Sequence, residues 1–392
     1  MKTKTTRLYS LDVFRVVSAL AVFLFHSRIH IGINYRLFNH FIGNCHIFIV
    51  AFFMLSGFSL FYAESGKTAP MDNNIRGGVK SFILHRFLKM YPLYVAYCVI
   101  WTVVQVLYAK SGSAVKELFV KLCLSAPMEF GLIQSVFVGS FKFLHNGGTW
   151  FMSCLFISYI FYPYIAQIVR SNSARGNAVL CIMLYLISSY AFFPAYRYKF
   201  SQIYANPLLR LLEFSIGIIA ANHFLLHREK KINRIFGALA LVFSALLLFL
   251  GLSFGAKFVN QWHIETYNFL AIPSFTAILY FCARLETQFP IECFKRTIRV
   301  LSENTYAFYF SQGFSWLPAK YLMAHTDFFA VHGSLKKLAV SAAWTVLVTA
   351  VLHYGIERPV GRIIKEFQKK EVNHAARSFD AAGLGDCASV QP

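Results

Sequence analysis

Charged side chains are scarce in this sequence of 392 residues. Asp, Glu, Lys and Arg together make up 14% of the chain, whereas soluble domains usually carry about a quarter. Hydrophobic residues make up 57%, and the mean hydropathy is +0.52. A soluble fold could not bury this much apolar surface. The composition therefore excludes a soluble globular enzyme, a disordered chain and a small disulfide-stapled secreted module.

The motifs of common soluble enzymes are also missing. The chain contains no G-x-S-x-G nucleophile elbow, no Walker P-loop, no H-E-x-x-H and no H-x-x-x-x-D. Its eight cysteines form no C-x-x-C pair and no zinc-binding spacing. Several of them lie inside apolar runs, where cysteine usually packs as a small hydrophobe. We therefore predict no metal site and no bound cofactor.

Long apolar runs are the main structural signal in the sequence. A helix needs roughly 20 apolar residues to cross a bilayer. Ten segments meet this requirement, at about 11–31, 46–63, 90–109, 150–169, 178–194, 207–226, 235–254, 267–284, 301–322 and 338–356. The predicted fold is all-α, a polytopic membrane helix bundle of about 10 transmembrane helices within residues 1–360. The stretch 115–145 is apolar but contains Lys, Pro and Gly, so we expect it to be interfacial or re-entrant.

Lysine and arginine form short clusters between the apolar runs. The net charge of +21 therefore favours orientation in a membrane over binding of nucleic acid. With the N-terminus in the cytoplasm, the inner segments hold 24 Lys and Arg and the outer segments 12. This predicts that both termini are cytoplasmic, with a tail at 361–392 whose end is disordered. Ser10 is the expected N-cap of the first span, and Asp12 suits the positive end of that helix.

The first span contains two ionisable residues that share one helix face. Arg15 and His26 are eleven residues apart, which places them about 20° apart around the axis and roughly 16 Å apart along it. Histidine suits a general base for a hydroxyl, and arginine suits binding of phosphate or carboxylate. The face could thus connect a cytoplasmic anionic donor to an acceptor deeper in the membrane. The alternative is that Arg15 extends to the headgroups and His26 only caps the outer end.

Three further groups of residues have both a functional and a structural interpretation. His85, Arg86 and Lys89 precede the third span, where they either bind an anion or only set membrane orientation. Arg210 and Glu213 lie at i, i+3 in the sixth span, and a structural ion pair is favoured over a catalytic role. The dipeptide at 56–57, which includes Ser56, favours close helix packing.

Taken in order, these pieces resemble the acyltransferase 3 family of membrane O-acyltransferases. The opening LDxLRxxAxxxVxxxH pattern is matched from Leu11 to His26, and FFxLSGF by residues 52–58. The FxxRRxxRIxPxY region is matched by residues 82–94, with His85 and Lys89 in place of arginines. Further matches are Trp150, Ser153, Tyr159 and Pro163 for W-x-x-S…Y-x-x-x-P, residues 210–217 for R-L-x-E-F-x-x-G, residues 305–309 for S-Y-x-x-Y, and residues 357–359 for E-R-P. The resemblance covers roughly residues 8–360.

The resemblance implies transfer of an acyl group, with acetyl-CoA as co-substrate, to a hydroxyl of a sugar, polysaccharide or glycolipid. His26 and Arg15 are the expected catalytic residues, and Arg86, Lys89 and His85 are expected to bind the donor. His26 would act as general base or carry the acyl group itself. Thr149 is a candidate oxyanion stabiliser together with Trp150 and Ser153. The residues expected to be structural or to orient the substrate are Ser56, Trp150, Ser153, Arg210, Glu213, Tyr306, Glu357 and Arg358.

Two positions differ from the common family pattern. Cys154 stands where many members have an acidic residue, and Gln312 stands where many have a histidine. Other classes that fit the composition are a glycan flippase, transporter or polymerase without acyl transfer, and an inactive scaffold. The expected partners are membrane lipid, the glycan or glycolipid acceptor, acyl-CoA and proteins of envelope biosynthesis. The expected location is the cytoplasmic membrane of a bacterium.

Overall fold

The structure is a bundle of α-helices. The computed structural model describes residues 6–65, 75–108, 112–137, 147–190, 203–258, 268–288, 294–329, 333–364 and 366. Every regular element in these ranges is helical. The α-helices are α1 (Tyr9–Ile31), α2 (Asn39–Gly43), α3 (Phe48–Ser65), α4 (Ile75–Tyr108), α5 (Gly112–Phe130), α6 (Trp150–Ser171), α7 (Ala174–Tyr190), α8 (Pro207–His227), α9 (Arg234–Phe258), α10 (Asn268–Gln288), α11 (Lys295–Glu303), α12 (Thr305–Ser311), α13 (Leu317–His325) and α14 (Gly333–Leu352).

Within the described ranges, eight helical segments are long and apolar enough to cross a membrane. They are Tyr9–Ile31, Arg36–Ser65, Gly78–Tyr108, Trp150–Ser171, Pro207–His227, Arg234–Phe254, Asn268–Gln288 and Gly333–Ile364. Each coincides with a predicted span, so the all-α bundle of apolar helices is confirmed. The predicted span 178–194 overlaps α7, which has 17 residues. The count of about ten spans and the placement of both termini stay predictions.

The predicted span 301–322 is not a single helix. It comprises the end of α11, all of α12 and most of α13, separated at Asn304 and by the turns at 312–316. The side-chain amide of Asn304 donates a hydrogen bond to the carbonyl of Val300 at 2.7 Å. This bond competes with the backbone hydrogen bonds that would continue the helix. A hydropathy pattern does not reveal such breaks. Non-helical backbone at membrane depth is tolerated where it lines protein interior, and Gln312 lies in one of these turns.

Close backbone contact between α3 and α8 forms the centre of the bundle. A Cβ added at Gly57 would collide with the carbonyl oxygen of Phe214, and one at Gly217 would collide with the carbonyl oxygen of Met54. Small residues permit such approach between membrane helices. The predicted packing role of the 56–57 dipeptide is therefore confirmed for Gly57, while Ser56 lies half-buried beside it.

The start of α1 is held by an acidic side chain from another helix. Glu286 of α10 accepts hydrogen bonds from the backbone N–H groups of Tyr9 and Ser10, both at 2.7 Å. The N-cap position is Leu8, and no side chain of the same segment caps the helix. The expectation that Ser10 is the N-cap is therefore wrong. The carboxylate of Glu286 supplies the negative charge that a helix N-terminus favours.

The segment that follows α5 turns back onto α6. The side chains of Gln134 and Ser135 are buried there, and the hydroxyls of Ser135 and Ser153 lie 2.7 Å apart. The Gln134 amide donates to the carbonyl of Thr149 at 3.1 Å. Residues 138–146 lie outside the described ranges, so the interfacial or re-entrant character of 115–145 stays a prediction. Ser153 and Thr149 thus anchor this segment to the N-terminal end of α6.

Candidate active site

Arg15 is held inside the bundle by three neighbours. Its guanidinium donates to Asp12 at 2.9 Å, to the Ser302 hydroxyl at 2.9 Å and to the Ser59 hydroxyl at 3.4 Å. Asp12 is buried and also accepts a hydrogen bond from Ser302 at 2.6 Å. The cation is therefore directed at α3 and α11 instead of being extended toward lipid headgroups. Its side chain is 28% exposed.

A charged network next to Arg15 joins the N-terminus of α1 to α11. Arg7 donates to Asp12 at 2.6 Å and to Glu303 at 2.9 Å, and Arg299 donates to Glu303 at 2.8 Å. Burial alone would lower the pKa of Arg7, but its hydrogen bonds to Asp12 and Glu303 outweigh this and raise the pKa. Burial alone would raise the pKa of Glu303, yet the hydrogen bonds from Arg299 and Arg7 lower it. This network fixes α11, and with it Ser302.

Arg86 has no ionic or hydrogen-bonding partner among the described residues. Its guanidinium lies over the ring of Phe82 at 5.3 Å and over that of Tyr159 at 5.4 Å. Its Nε is buried without a hydrogen-bond partner. Cation–π contacts orient a guanidinium without using its hydrogen-bond donors. The Nε–H group is thus left unpaired by the described residues.

Tyr159 of α6 connects Arg86 to Arg15. The Tyr159 hydroxyl lies within electrostatic range of both guanidinium groups. The structure therefore brings Arg15 of α1 and Arg86 of α4 to the same part of the bundle. In the sequence, Tyr159 stands out only as part of a motif, and no role was predicted for it.

His85 and Lys89, the two residues predicted to act with Arg86, are placed differently. His85 and Lys89 are exposed, and Lys89 lies within electrostatic range of Glu357. Next to Arg86, a groove of about 530 Å³ runs between α4 and α6. It is lined by Val79, Lys80, Ile83, Leu84, Phe87, Phe156 and Tyr164.

His26 lies farther along α1 and is paired with Gln312. Its Nδ1 is 2.8 Å from the Gln312 side-chain oxygen. An amide oxygen can only accept, so Nδ1 carries a proton, and in the neutral imidazole Nε2 then has a free lone pair. Gln312 is buried, whereas His26 is half-buried. The imidazole is therefore held in the tautomer that a general base requires.

The stripe of α1 between Arg15 and His26 is closed in this conformation. Ala19 and Val22 lie on that stripe, and they are only 5% and 3% exposed. Arg15 and His26 both make their polar contacts inside the bundle, and their catalytic roles stay predictions. The two ends are nevertheless separated by packed side chains, so a donor held at one end must displace them to reach the other.

Arg210 and Glu213 form a fully buried ion pair. Their side chains are 1% and 0% exposed, and the donor–acceptor distance is 2.7 Å. Asn268 donates to the second oxygen of Glu213 at 3.3 Å, and the Arg210 guanidinium lies over the ring of Tyr204 at 5.5 Å. Breaking such a pair by removing one partner is costly. This arrangement matches the predicted structural role, linking α8 to α10.

The remaining predicted residues support helix contacts. Trp150 packs against Tyr204 with tilted rings, at a ring distance of 4.9 Å. Tyr306 donates to the carbonyl of Met90 at 2.7 Å, which ties α12 to α4. Glu357 accepts from His353 at 2.8 Å. Arg358 lies over the ring of Tyr354 at 5.7 Å.

Sequence reasoning missed several residues that the fold brings to these sites. Ser302 is the main example, because no motif or charge pattern distinguishes it from other serines. Gln312 could be noticed in the sequence, because it stands where the S-Y-x-x-Y segment of many family members ends with a histidine. Within the described residues, no three His, Cys, Asp or Glu side chains cluster as they would around a metal ion.

The fold is that of a multi-pass membrane protein, with His26 and the arginines Arg15 and Arg86 directed into its helical bundle. A family model described as an acyltransferase domain matches residues 8–354, which is nearly the whole chain. The chain therefore belongs to the acyltransferase 3 family. Neither the curated proteins nor the solved structures contain a match to it.

Proposed function

We propose that the protein transfers an acetyl group from acetyl-CoA to a hydroxyl of a cell-surface sugar, polysaccharide or glycolipid. Membership of an acyltransferase family supports acyl transfer in general. The choice of an O-linked acceptor rests on the His26–Gln312 pair, because a neutral imidazole with a free Nε2 is suited to deprotonate a hydroxyl. This pair is the observation that carries the proposal.

The reaction proceeds by attack of the acceptor oxygen on the thioester carbonyl carbon. His26 Nε2 takes the hydroxyl proton as the new C–O bond forms. The C–S bond then breaks, and the CoA thiolate takes the proton back from the imidazolium. Gln312 accepts the Nδ1–H throughout and so keeps the ring oriented. A thioester is already activated, so this sequence balances without a metal or a further co-reactant.

Donor binding falls to the cations at the other end of α1. Arg86 has hydrogen-bond donors that no described residue uses, and guanidinium groups bind phosphate strongly. Arg15 lies within electrostatic range of Tyr159, as Arg86 does, and adds positive charge to the same region. With the N-terminus in the cytoplasm, this end faces the compartment that supplies acyl-CoA. The end of acetyl-CoA that carries the acetyl group then passes Ala19 and Val22 to reach His26.

Labelled acetyl-CoA added to membranes that contain the protein tests this function. We expect label in the glycan or glycolipid fraction and release of free CoA. His26→Ala should lower the rate by about 10²–10⁴-fold, the usual contribution of positioned proton transfer, while membrane insertion is unchanged. Normal acylation by a well-expressed His26→Ala variant would exclude the mechanism. Glycan movement across the membrane without transfer of label would instead indicate a flippase or transporter.

A further inference from the structure

A second histidine is buried close to His26, and its imidazole has no hydrogen-bond partner in the part of the chain that the structure describes. His46 lies in the short turn between α2 and α3 and is 4% exposed. Both of its ring nitrogens are buried without a partner among the described residues. The Gly43 backbone lies near the ring but outside hydrogen-bonding geometry.

Leaving these nitrogens unpaired is expensive. A buried donor or acceptor without a partner costs about 1–3 kcal/mol, and most buried polar atoms in native proteins are paired. The rings that pack on His46, those of Phe25 and Tyr204 at 4.9 and 6.0 Å, would pack equally well on an apolar side chain. Packing therefore gives no reason for a histidine at this position.

His46 belongs to the same region as the general base. The ring of Phe25 packs against both imidazoles, at 5.4 Å from His26 and 4.9 Å from His46. His46 is also within electrostatic range of His26 and Arg210. Trp150 and Tyr204 form an aromatic wall beside His46, with their rings 4.9 Å apart. Phe25 is only half-buried, so its ring is less confined than that of His46.

We propose that His46 binds the acceptor through a second hydroxyl while His26 acts on the first. The acceptor is then a polyhydroxylated molecule, held by one ring nitrogen of His46 and lying against the wall formed by Trp150 and Tyr204. His46 is a positioning residue that sets which hydroxyl reaches His26 Nε2. This inference rests on the proposed function, since it assigns the acceptor side of the same reaction.

Steady-state kinetics with purified protein in lipid nanodiscs test the inference. The probes are labelled acetyl-CoA and the glycan and glycolipid fraction extracted from source membranes, each varied in turn. For His46→Leu we expect the KM for the extract to rise about tenfold or more, as for loss of one hydrogen bond. The KM for acetyl-CoA should stay unchanged. His46→Gln, which keeps a donor and an acceptor, should recover part of the loss.

Thermal unfolding separates this role from a structural one. His46→Leu removes two unpaired buried nitrogens, so the variant should melt at or above the wild-type temperature. A lower melting temperature together with equal losses for both substrates would mean that His46 only supports the fold. His40→Leu is the matched control, because His40 is exposed on the adjacent α2 and its replacement should leave both KM values unchanged.

The two proposals fail in distinguishable ways. If the wild-type protein transfers no label to the extract, the proposed function is wrong, and the inference falls with it. If the wild type transfers label and His46→Leu keeps a normal KM for the extract, the inference alone is wrong.

Discussion

The side-chain oxygen of Gln312 lies 2.8 Å from Nδ1 of His26 and so joins the first transmembrane helix to the turn after α12. Many family members have a histidine at the position that this glutamine occupies. An amide oxygen serves the same purpose as a neutral imidazole acceptor, because both bind the Nδ1 proton. The substitution therefore leaves the tautomer of His26 defined.

Removing this acceptor should slow catalysis without abolishing it. We expect Gln312→Leu to lower kcat about tenfold, which corresponds to one net hydrogen bond, since the free Nε2 tautomer is no longer enforced. Gln312→His should keep most of the activity because a ring nitrogen can accept the same proton. Turnover of labelled acetyl-CoA measures both variants, and equal rates for Gln312→Leu and wild type would show that the contact has no catalytic role.

Loss of the Arg86 guanidinium should weaken donor binding. We expect Arg86→Gln to raise the KM for acetyl-CoA about tenfold or more, because a charge-assisted contact to phosphate contributes about 1.5–3 kcal/mol. The KM for the acceptor should not change. Arg170→Gln is a control, since Arg170 is exposed at the C-terminal end of α6. An unchanged acetyl-CoA KM for Arg86→Gln would remove this residue from the donor site.

A larger side chain on the stripe between Arg15 and His26 should block transfer. Ala19 is 5% exposed on this stripe, and we expect Ala19→Leu to abolish acylation while donor binding persists. Ala21→Leu makes the same change at a buried position on another face of α1. Overpacking of this kind usually costs about 1–3 kcal/mol of stability, so both variants should show similar melting shifts. Equal activity in the two variants would argue against passage of the donor along this stripe.

The contact between α3 and α8 should be intolerant of even one methyl group. We expect Gly57→Ala to lower the melting temperature in detergent, because its Cβ would collide with the carbonyl oxygen of Phe214 and the helices must separate. An overpacked core typically loses about 1–3 kcal/mol. Gly361→Ala places its Cβ in open space and should leave stability unchanged. If both variants melt alike, the close approach is not important for stability.

The sequence by itself determined the class of fold and the helix face that Arg15 and His26 share. Apolar runs of about 20 residues can be satisfied in a membrane only as helices, so eight spans could be read directly from composition. The eleven-residue spacing placed Arg15 and His26 on one face because the helical period is fixed. The ion pair of Arg210 and Glu213 followed from their i, i+3 spacing for the same reason.

Only the tertiary structure decided which distant groups complete the site. Ser302 and Gln312 reach α1 because the region 301–322 is broken into short helices, and hydropathy does not record where a helix breaks. The convergence of Arg86 and Arg15 on Tyr159, and the unpaired burial of His46, depend on how helices pack against one another. Such packing is set by side-chain contacts between segments far apart in the chain, so local periodicity carries no information about it.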